Sequence, residues 1–194
     1  MNRLLLIVVL TLIFLFPISL HAVELTCGAV LTTPGTYTLR EDLTCDTGVL
    51  IKGNDIILDC SCLFGRATLK GSAMSTGEGI VVRKARRTRI INCVVDGWER
   101  GVVIEKSQAT SLHGVTVQQN AGDGLTVSKS KDSHITVFSV RNEGWGVVVE
   151  DSRETTLMQS AVNNNGDGSL LVLNPRGTLA TFDTVLDGDM LVDK

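Results

Sequence analysis

The chain has 194 residues, a length that suits one domain of ordinary size. Its formal net charge is −3 at pH 7, which argues against nucleic-acid binding as a property of the whole chain. Aromatic residues make up only 4% of the sequence, so we expect a core built from valine, isoleucine and leucine.

Residues 1–22 have the pattern of a secretory signal peptide. Arg3 gives a positive start, the run from Leu4 to Phe16 is almost wholly apolar, and Ala22 is the predicted last residue of the removed segment. An uncleaved membrane anchor is the alternative, but the apolar run is shorter than the roughly 20 residues that cross a bilayer. The mature chain is therefore predicted to be secreted or periplasmic and to have no membrane span.

Five cysteines indicate disulfide bonds in such an oxidising environment. Cys27 with Cys45 is the first predicted pair, and it would staple the N-terminal region. Because the count is odd, at least one thiol stays free. Cys93 is the predicted free thiol, since its register places it inward as a small hydrophobe. Cys60-Ser61-Cys62 has the spacing of a soft-metal site, but a disulfide is favoured outside the cytoplasm, and no metal site is predicted.

Residues 23–78 are predicted to form an N-terminal cap and irregular first coils. The 31 residues from Gly48 to Gly79 exceed the period of about 22 residues that follows Gly79. The difference predicts an insertion around Ser61–Thr76 and an extra strand at Ala67–Lys70. Residues 79–194 are predicted to form regular coils.

From Gly79 onward the sequence repeats with a period near 22 residues. A glycine followed by alternating apolar residues recurs in steps of 22, 23, 22 and 22 residues, at Gly79, Gly101, Gly124, Gly146 and Gly168. Alternation of this kind predicts short strands, and a fixed period predicts coils that bury their apolar faces only by stacking on one another.

The repeat also predicts which side chains point inward and how the coils turn. In two of the coils the inward triplets are Ile135/Phe138/Val140 and Leu157/Ser160/Val162. Four residues before the glycines stand Gly97, Asn120, Asn142 and Asn164. Asparagine tolerates the left-handed conformation and can form ladders along a stack.

Several motifs resemble those of the right-handed parallel β-helix superfamily, in particular secreted β-helix repeat proteins, which include a periplasmic copper-binding β-helix family. They are Cys27-Gly28, Leu39–Cys45, Ile56–Cys60 and Gly79–Val95. The resemblance covers nearly all of the mature chain and implies an all-β, single-stranded right-handed parallel β-helix. Its relatives include pectate lyases, polygalacturonases, alginate epimerases, phage tailspikes and sugar-binding modules, which implies an acidic polysaccharide as ligand.

The catalytic groups of those relatives are not evident in the sequence. No Asp-Asp pair is present, and Asp123 and Asp167 are separated in the stack by Trp145. We expect these carboxylates to be solvated, so no cofactor is predicted and Ca²⁺ enters only if the chain is a lyase. His113 and His134 are out of register by two residues, which gives copper binding little support.

The residues that the coil itself does not require are basic or aromatic. Lys84, Lys106 and Lys129 recur five residues after a glycine. They form either a solvated row or an anion site. Trp98 and Trp145 precede glycines and either stack on sugars or cover the core. The candidate binding residues are Lys84, Arg86, Arg87, Lys106, Lys129, Trp98 and Trp145.

The favoured function is a secreted or periplasmic module that binds polysaccharide, preferably an acidic glycan, without catalysis. One alternative is a small lyase or epimerase that acts on uronate-containing glycans. The other is a structural surface protein that self-associates through its C-terminal open edge.

Overall fold

The computed structural model describes residues 22–73, 77–176 and 179–193. The predicted signal peptide, apart from Ala22, lies outside these residues, as do parts of the predicted insertion and of the last coil. The described residues are all-β. None of them belongs to a helix long and apolar enough to cross a membrane.

Two parallel sheets and one hairpin make up the fold. Sheet one has eight strands, which are β2 (Val30–Leu31), β5 (Val49–Ile51), β10 (Glu78–Arg83), β13 (Arg100–Glu105), β15 (Leu125–Ser128), β17 (Trp145–Glu150), β20 (Gly168–Leu173) and β23 (Met190–Asp193).

Sheet two has 13 strands and bends into two legs. Its first leg contains β1 (Val23–Glu24), β3 (Gly35–Thr38), β6 (Ile56–Asp59), β11 (Arg89–Ile91), β18 (Arg153–Met158) and β21 (Leu179–Phe182). Its second leg contains β4 (Leu43–Cys45), β9 (Thr68–Gly71), β12 (Val94–Asp96), β19 (Ala161–Asn163) and β22 (Val185–Asp187). Two long strands, β14 (Ser111–Gln118) and β16 (Lys131–Val140), run through both legs. The hairpin consists of β7 (Ser61–Cys62) and β8 (Gly65–Arg66).

The chain visits sheet one, the first leg and the second leg in turn, and each strand then pairs in parallel with its equivalent in the next coil. For example, Ile80 pairs with Val102, and Val102 with Leu125. This register produces a parallel β-solenoid of about seven turns, which confirms the predicted fold class. Successive coils are roughly 4.8 Å apart, the spacing of hydrogen-bonded strands.

The core is a set of aliphatic columns inside the solenoid. The sheet-one column is fully buried at Ile80, Val102, Leu125, Val147 and Leu170. Burial of each such side chain contributes roughly 1.5–3 kcal/mol, which offsets the ordering of short strands that have no stability alone.

The predicted inward triplet is wrong in one coil. Phe138 is 43% exposed and Val140 is half-buried, whereas Val137 and Ser139 point inward. The other coils bend between the two legs at a residue with positive φ, for example Asn92 or Gln159. Strand β16 has no positive-φ residue between Ser133 and Val140, where it passes from the first leg to the second, so its alternation continues there without interruption.

The last glycine of the repeat is also displaced by one residue. Val147 pairs with Leu170, so Ser169 rather than Gly168 occupies the glycine column, and Gly168 pairs with Trp145. The extra residue enters at the bend: Ile135 pairs with Leu157, a step of 22 residues, whereas Phe138 pairs with Ala161, a step of 23, because Gln159 forms the bend that β16 lacks.

The N-terminal region is more regular than its sequence indicates. Residues 30–45 pass through sheet one and both legs of sheet two and so complete a coil. The strand predicted to be extra, β9, pairs with β4 and β12 as a regular member of the second leg. The inserted structure near residue 61 is the β7–β8 hairpin.

Buried asparagines connect the coils at one corner. The Nδ2 of Asn120 donates to the Oδ1 of Asn142 at 2.7 Å, and the Nδ2 of Asn142 donates to the Oδ1 of Asn165 at 2.9 Å. The ladder was predicted, but its third member is Asn165 and not Asn164. Gly124 leaves room for it, because a Cβ there would lie 2.6 Å from the Nδ2 of Asn142.

Serines form a second ladder that the sequence analysis missed. The backbone N–H groups of Ala85, Ser107 and Ser130 donate to the hydroxyls of Ser107, Ser130 and Ser152, respectively, at 3.1–3.3 Å. Their spacing of 22 or 23 residues was visible in the sequence.

The disulfides correct one part of the cysteine prediction. Cys27 is bonded to Cys45, the pair that was placed first. Cys93 is bonded to Cys60, so the prediction that Cys93 is free is wrong, and the free thiol belongs to Cys62. The inward register of Cys93 was correct, but Cys60 lies beside it in the neighbouring coil.

Alkylation of the native protein should therefore modify Cys62 alone, because this half-buried thiol is the one that is not in a disulfide. Peptide mapping after iodoacetamide treatment without reductant measures this. Modification of Cys93 or Cys60 in the folded protein would contradict the connectivity.

Replacing Asn142 with alanine should lower the free energy of unfolding by about 2–3 kcal/mol. The change leaves buried donors on Asn120 without an acceptor, each a loss of roughly 1–3 kcal/mol before relaxation. Urea denaturation measures the difference. The matched control is Asn163→Ala, on the outward side of β19, which should cost much less. Equal losses would show that the ladder does not stabilise the stack.

Candidate functional site

One corner of the solenoid collects most of the unbalanced positive charge. We call it the basic corner, and it comprises residues 84–87, 106–109, 129–132 and 151–154, which connect sheet one to the first leg of sheet two. Its cations are Lys84, Arg86, Arg87, Lys106, Lys129, Lys131 and Arg153, and its acids are Asp132, Asp151 and Glu154. Seven cations against three acids contrast with the chain's net charge of −3.

The three predicted lysines do form one column. Lys84, Lys106 and Lys129 have φ angles of 54°, 50° and 51°, and Asp151 continues the column at 48°. Each backbone N–H donates to the next coil, for example from Lys84 to the carbonyl of Glu105 at 3.0 Å. The backbone is therefore held by stacking, while the three lysine side chains are exposed.

A second basic column lies two residues further along each coil. Arg86 pairs with Gln108, Gln108 with Lys131, and Lys131 with Arg153. The sequence analysis identified Arg86 but missed Lys131 and Arg153. They stand seven residues after Gly124 and Gly146, a signal in the same repeat that gave the lysine column.

The two columns meet at an open pocket of about 410 Å³ in the later coils. Four cations and one acid line it, together with Ser130: Lys129, Lys131, Arg153, Arg176 and Asp151. Arg176, which the sequence analysis did not single out, lies 3.4 Å from Asp151. Cations of two columns thus face a common space, and a carboxylate or sulfate group would be attracted to it.

Local ion pairs neutralise only part of this charge. Arg87 binds Asp55 through two bonds of 2.5 and 2.7 Å. The Nζ of Lys106 lies 3.0 Å from Glu105, and its hydrogen bond, with that of Arg83, lowers the pKa of Glu105. Among the described residues, neither Lys84 nor Lys129 forms an ion pair.

Two acids of the later coils, Asp132 and Glu154, interact with a cation of the same corner. The Nζ of Lys131 lies 3.7 Å from Asp132 and 3.6 Å from Glu154. The pKa of Asp132 is lowered, first by a hydrogen bond with Glu154 and then by Gln108 and the nearby cations.

The two tryptophans lie at a different corner, and only one of them is accessible. Trp98 is 1% exposed, and its Nε1 donates to the carbonyl of Leu69 at 3.1 Å, so it offers no face for sugar stacking. Its backbone N–H donates to the Oδ1 of Asn120, which places Trp98 in the asparagine column as part of the core. Trp145 is half-buried, and its ring lies against Gly168.

Acidic residues predominate at this second corner, which connects the second leg to sheet one through residues 97–99, 119–123, 141–144 and 164–167 and which we call the acidic corner. They are Glu99, Asp123, Glu143 and Asp167. Asp123 accepts a hydrogen bond from the backbone N–H of Trp145 at 2.9 Å. Partial burial raises the pKa of Asp123, against the lowering effects of that hydrogen bond and of Arg100, and Asp167 raises it further.

The solenoid therefore separates the candidate site residues. Lys84 follows the end of β10, whereas Trp98 precedes β13, so the two corners lie at opposite ends of the sheet-one strands. Six residues of strand correspond to roughly 20 Å. The basic residues are brought together in one corner, and the tryptophans are not part of it.

A disulfide-stapled parallel β-helix with a charged corner defines the class of protein, a secreted or periplasmic solenoid. Residues 43–178 match the family described as periplasmic copper-binding protein (NosD). The match covers more than half of the chain, and the protein belongs to this periplasmic β-helix family. No curated protein is a significant sequence match to the chain.

Two solved structures with a similar fold are described as a glucanase and a putative glycosyl hydrolase. The catalytic domain of a GH87 alpha-1,3-glucanase in complex with tetrasaccharides has a TM-score of 0.51 at 13% identity, over 80% of this chain and 34% of that one. A putative glycosyl hydrolase from Parabacteroides merdae has a TM-score of 0.51 at 13% identity, over 78% and 83% of the two chains. At such identity the likeness shows the fold alone, and the chain spans about a third of the glucanase domain.

The described residues do not fit the copper named in the family description. They contain no group of three or more histidine, cysteine, aspartate or glutamate residues arranged to hold a metal ion. Ser111 pairs with His134, so His113 lies two residues out of register with it, as expected from the sequence. Cys62 is the one thiol outside the disulfides.

Asp123→Asn should change the pH dependence of stability in a defined direction. Because the folded-state pKa of Asp123 is raised, the stability that this group contributes at low pH is lost as pH rises from about 3.8 through the folded pKa. The variant should therefore gain stability relative to the native chain across that window, as measured by urea denaturation at a series of pH values.

Asp55→Asn is the matched control, and its effect on the pH dependence of stability should have the opposite sign. Arg87 lowers the pKa of Asp55, so its stabilising contribution is present above the unfolded pKa and disappears as pH falls. The Asp55 variant should lose stability relative to the native chain as pH rises. Parallel pH profiles for the two variants would contradict the assigned environments.

Proposed function

We propose that the protein is a periplasmic or secreted module that binds an acidic polysaccharide along its basic corner. The observation that carries the proposal is the pair of cation columns that meet at the open pocket lined by Lys129, Lys131, Arg153 and Arg176. The ligand would run along the solenoid axis and offer one carboxylate or sulfate to successive coils. Its charge would relieve the repulsion between stacked lysines.

Two further features support an extended ligand. The left-handed turns hold Lys84, Lys106 and Lys129 at equivalent positions, so their side chains start from a regular, preorganised row. The family is periplasmic, and two solved structures that share the fold are described as a glucanase and a putative glycosyl hydrolase. Trp98 is excluded from this proposal by its burial, and Trp145 lies at the other corner.

The combined variant Lys84→Gln, Lys106→Gln, Lys129→Gln should bind an oligouronate about tenfold more weakly than the native chain. Exposed ion pairs contribute roughly 0.2–1 kcal/mol each, so three of them amount to about that change. Calorimetry at low and high salt measures affinity and its salt dependence, which should be smaller in the variant. The control is Lys70→Gln with Arg141→Gln, two exposed cations outside the corner.

Equal binding of alginate and a neutral glycan, or an equal loss in the control variant, would contradict recognition by the basic corner. Retention of full affinity in the triple variant together with loss in Arg153→Gln would place the ligand in the pocket without the lysine column.

The proposal is one of binding without chemistry, and a lyase or epimerase is the alternative. A lyase acting on uronate would generate unsaturated products that absorb in the ultraviolet. Incubation of the native protein with alginate and with pectate, with and without Ca²⁺, should give no rise in absorbance. A rise that depends on Lys84, Arg86 or Lys106 would establish a lyase instead, and altered uronate composition without such absorbance would establish an epimerase.

A further inference from the structure

The β7–β8 hairpin presents an apolar tip that no part of the described chain covers. Leu63 is 95% exposed and Phe64 is 101% exposed. Among the other large apolar side chains that the structure describes, the most exposed is Val185, at 61%. The hairpin is an addition to the coil, since the neighbouring coils pass from the first leg to the second without one.

The base of the hairpin is held firmly against the solenoid. The carboxylate of Asp59 accepts hydrogen bonds from the backbone N–H and hydroxyl of Ser61 at 2.9 and 2.6 Å. Arg66 donates to the carbonyl of Gly114 at 2.9 Å and to the hydroxyl of Thr116 at 3.0 Å. Cys60, which forms a disulfide bond with Cys93, directly precedes β7. The two apolar side chains are therefore displayed from a fixed support.

The size of the tip favours a lipid surface over a protein partner. A phenylalanine buries roughly 150–250 Å², so the two side chains together offer at most about 400 Å². A stable protein interface buries about 800 Å² on each partner. A bilayer interface needs no matching shape, and its affinity follows the apolar area inserted.

Two arginines lie beside the tip, where anionic lipid headgroups would contact them. The guanidinium groups of Arg40 and Arg66 both contact the hairpin or the surface under it, and both residues are exposed. Two acids lie in the same region: Glu41 lines the pocket beside the tip, and the carboxylate of Asp59 is engaged by its hydrogen bonds from Ser61. Two cations next to an inserted apolar pair add electrostatic attraction to the hydrophobic term.

We propose that the Leu63–Phe64 tip inserts into the surface of an anionic lipid bilayer and docks the protein there reversibly. The solenoid lies on the membrane through this contact and does not span it. The inference is independent of glycan binding, because the tip and the basic corner share no residues.

Flotation with phosphatidylcholine–phosphatidylglycerol vesicles tests the proposal on the mature chain. Phe64→Ser and Leu63→Ser leave every charge in place, and each should weaken partitioning about tenfold or more, the equivalent of losing one buried apolar side chain. Leu191→Ser, which is 53% exposed on β23, is the matched control and should partition like the native protein. Circular dichroism checks that each variant is folded.

A second variant reports insertion directly. In Phe64→Trp the added indole should shift its emission to the blue on vesicle binding and be quenched by brominated acyl chains, relative to the native protein with its two tryptophans. The proposal is overturned if the native protein does not bind vesicles, if both serine variants bind as well as it does, or if the Phe64→Trp emission is unchanged in the bound state. A lipid-free dimer that Phe64→Ser dissociates would also overturn it, in favour of pairing between copies.

Discussion

The structure depends on stacking at the corners, where each coil must turn in the same way as the next. Residues with φ near 50° stand at equivalent places, for example Lys84, Lys106 and Lys129, and the side chain that follows each of the last two is a ladder serine. A coil of about 22 residues has too little apolar surface to fold alone, so this alignment must repeat in every coil before the aliphatic columns can close. The ladders satisfy backbone N–H groups that the bends take out of the sheets.

The stacking of equivalent corner positions also separates the cations from the acids. Equivalent corner positions in successive coils lie one strand spacing apart. Basic residues that recur at such a position therefore form a column. Cations collect at the corner after sheet one, and acids collect at the corner before it. Because the two corners are roughly 20 Å apart, a polyanion that follows the solenoid axis meets the cations without crossing the acidic turns. This separation gives the molecule one side suited to an anionic ligand.

Most of the fold was predictable from the sequence, because period and alternation are local signals. The parallel solenoid, the inward columns and the Asn120–Asn142 contact follow from spacing alone. The errors arose where one coil departs from its neighbours: β16 lacks a bend, so Phe138 turned outward and the glycine column moved to Ser169. The pairing of Cys60 with Cys93 depends on adjacency between coils that the 31-residue step obscures.

The site was predictable only in part, for a related reason. The lysine column shares its spacing with the glycines and was found, whereas Lys131 and Arg153 were overlooked in the same repeat. Burial could not be read from the sequence, so the choice for Trp98 between sugar stacking and covering the core stayed open. Trp98 fills a place that asparagines occupy in later coils. Arg176 joins the pocket from the following coil, beyond the reach of any local motif.

The central claim is that an acidic glycan lies along successive coils of the basic corner. Hydrogen–deuterium exchange of the native protein with and without an oligouronate tests it most directly. The account predicts slower exchange, at a spacing of 22 or 23 residues, in peptides that cover residues 84–87, 106–109 and 129–132, with no change at the acidic corner. Slower exchange at residues 119–123 and 141–144, or a change confined to one coil, would contradict it.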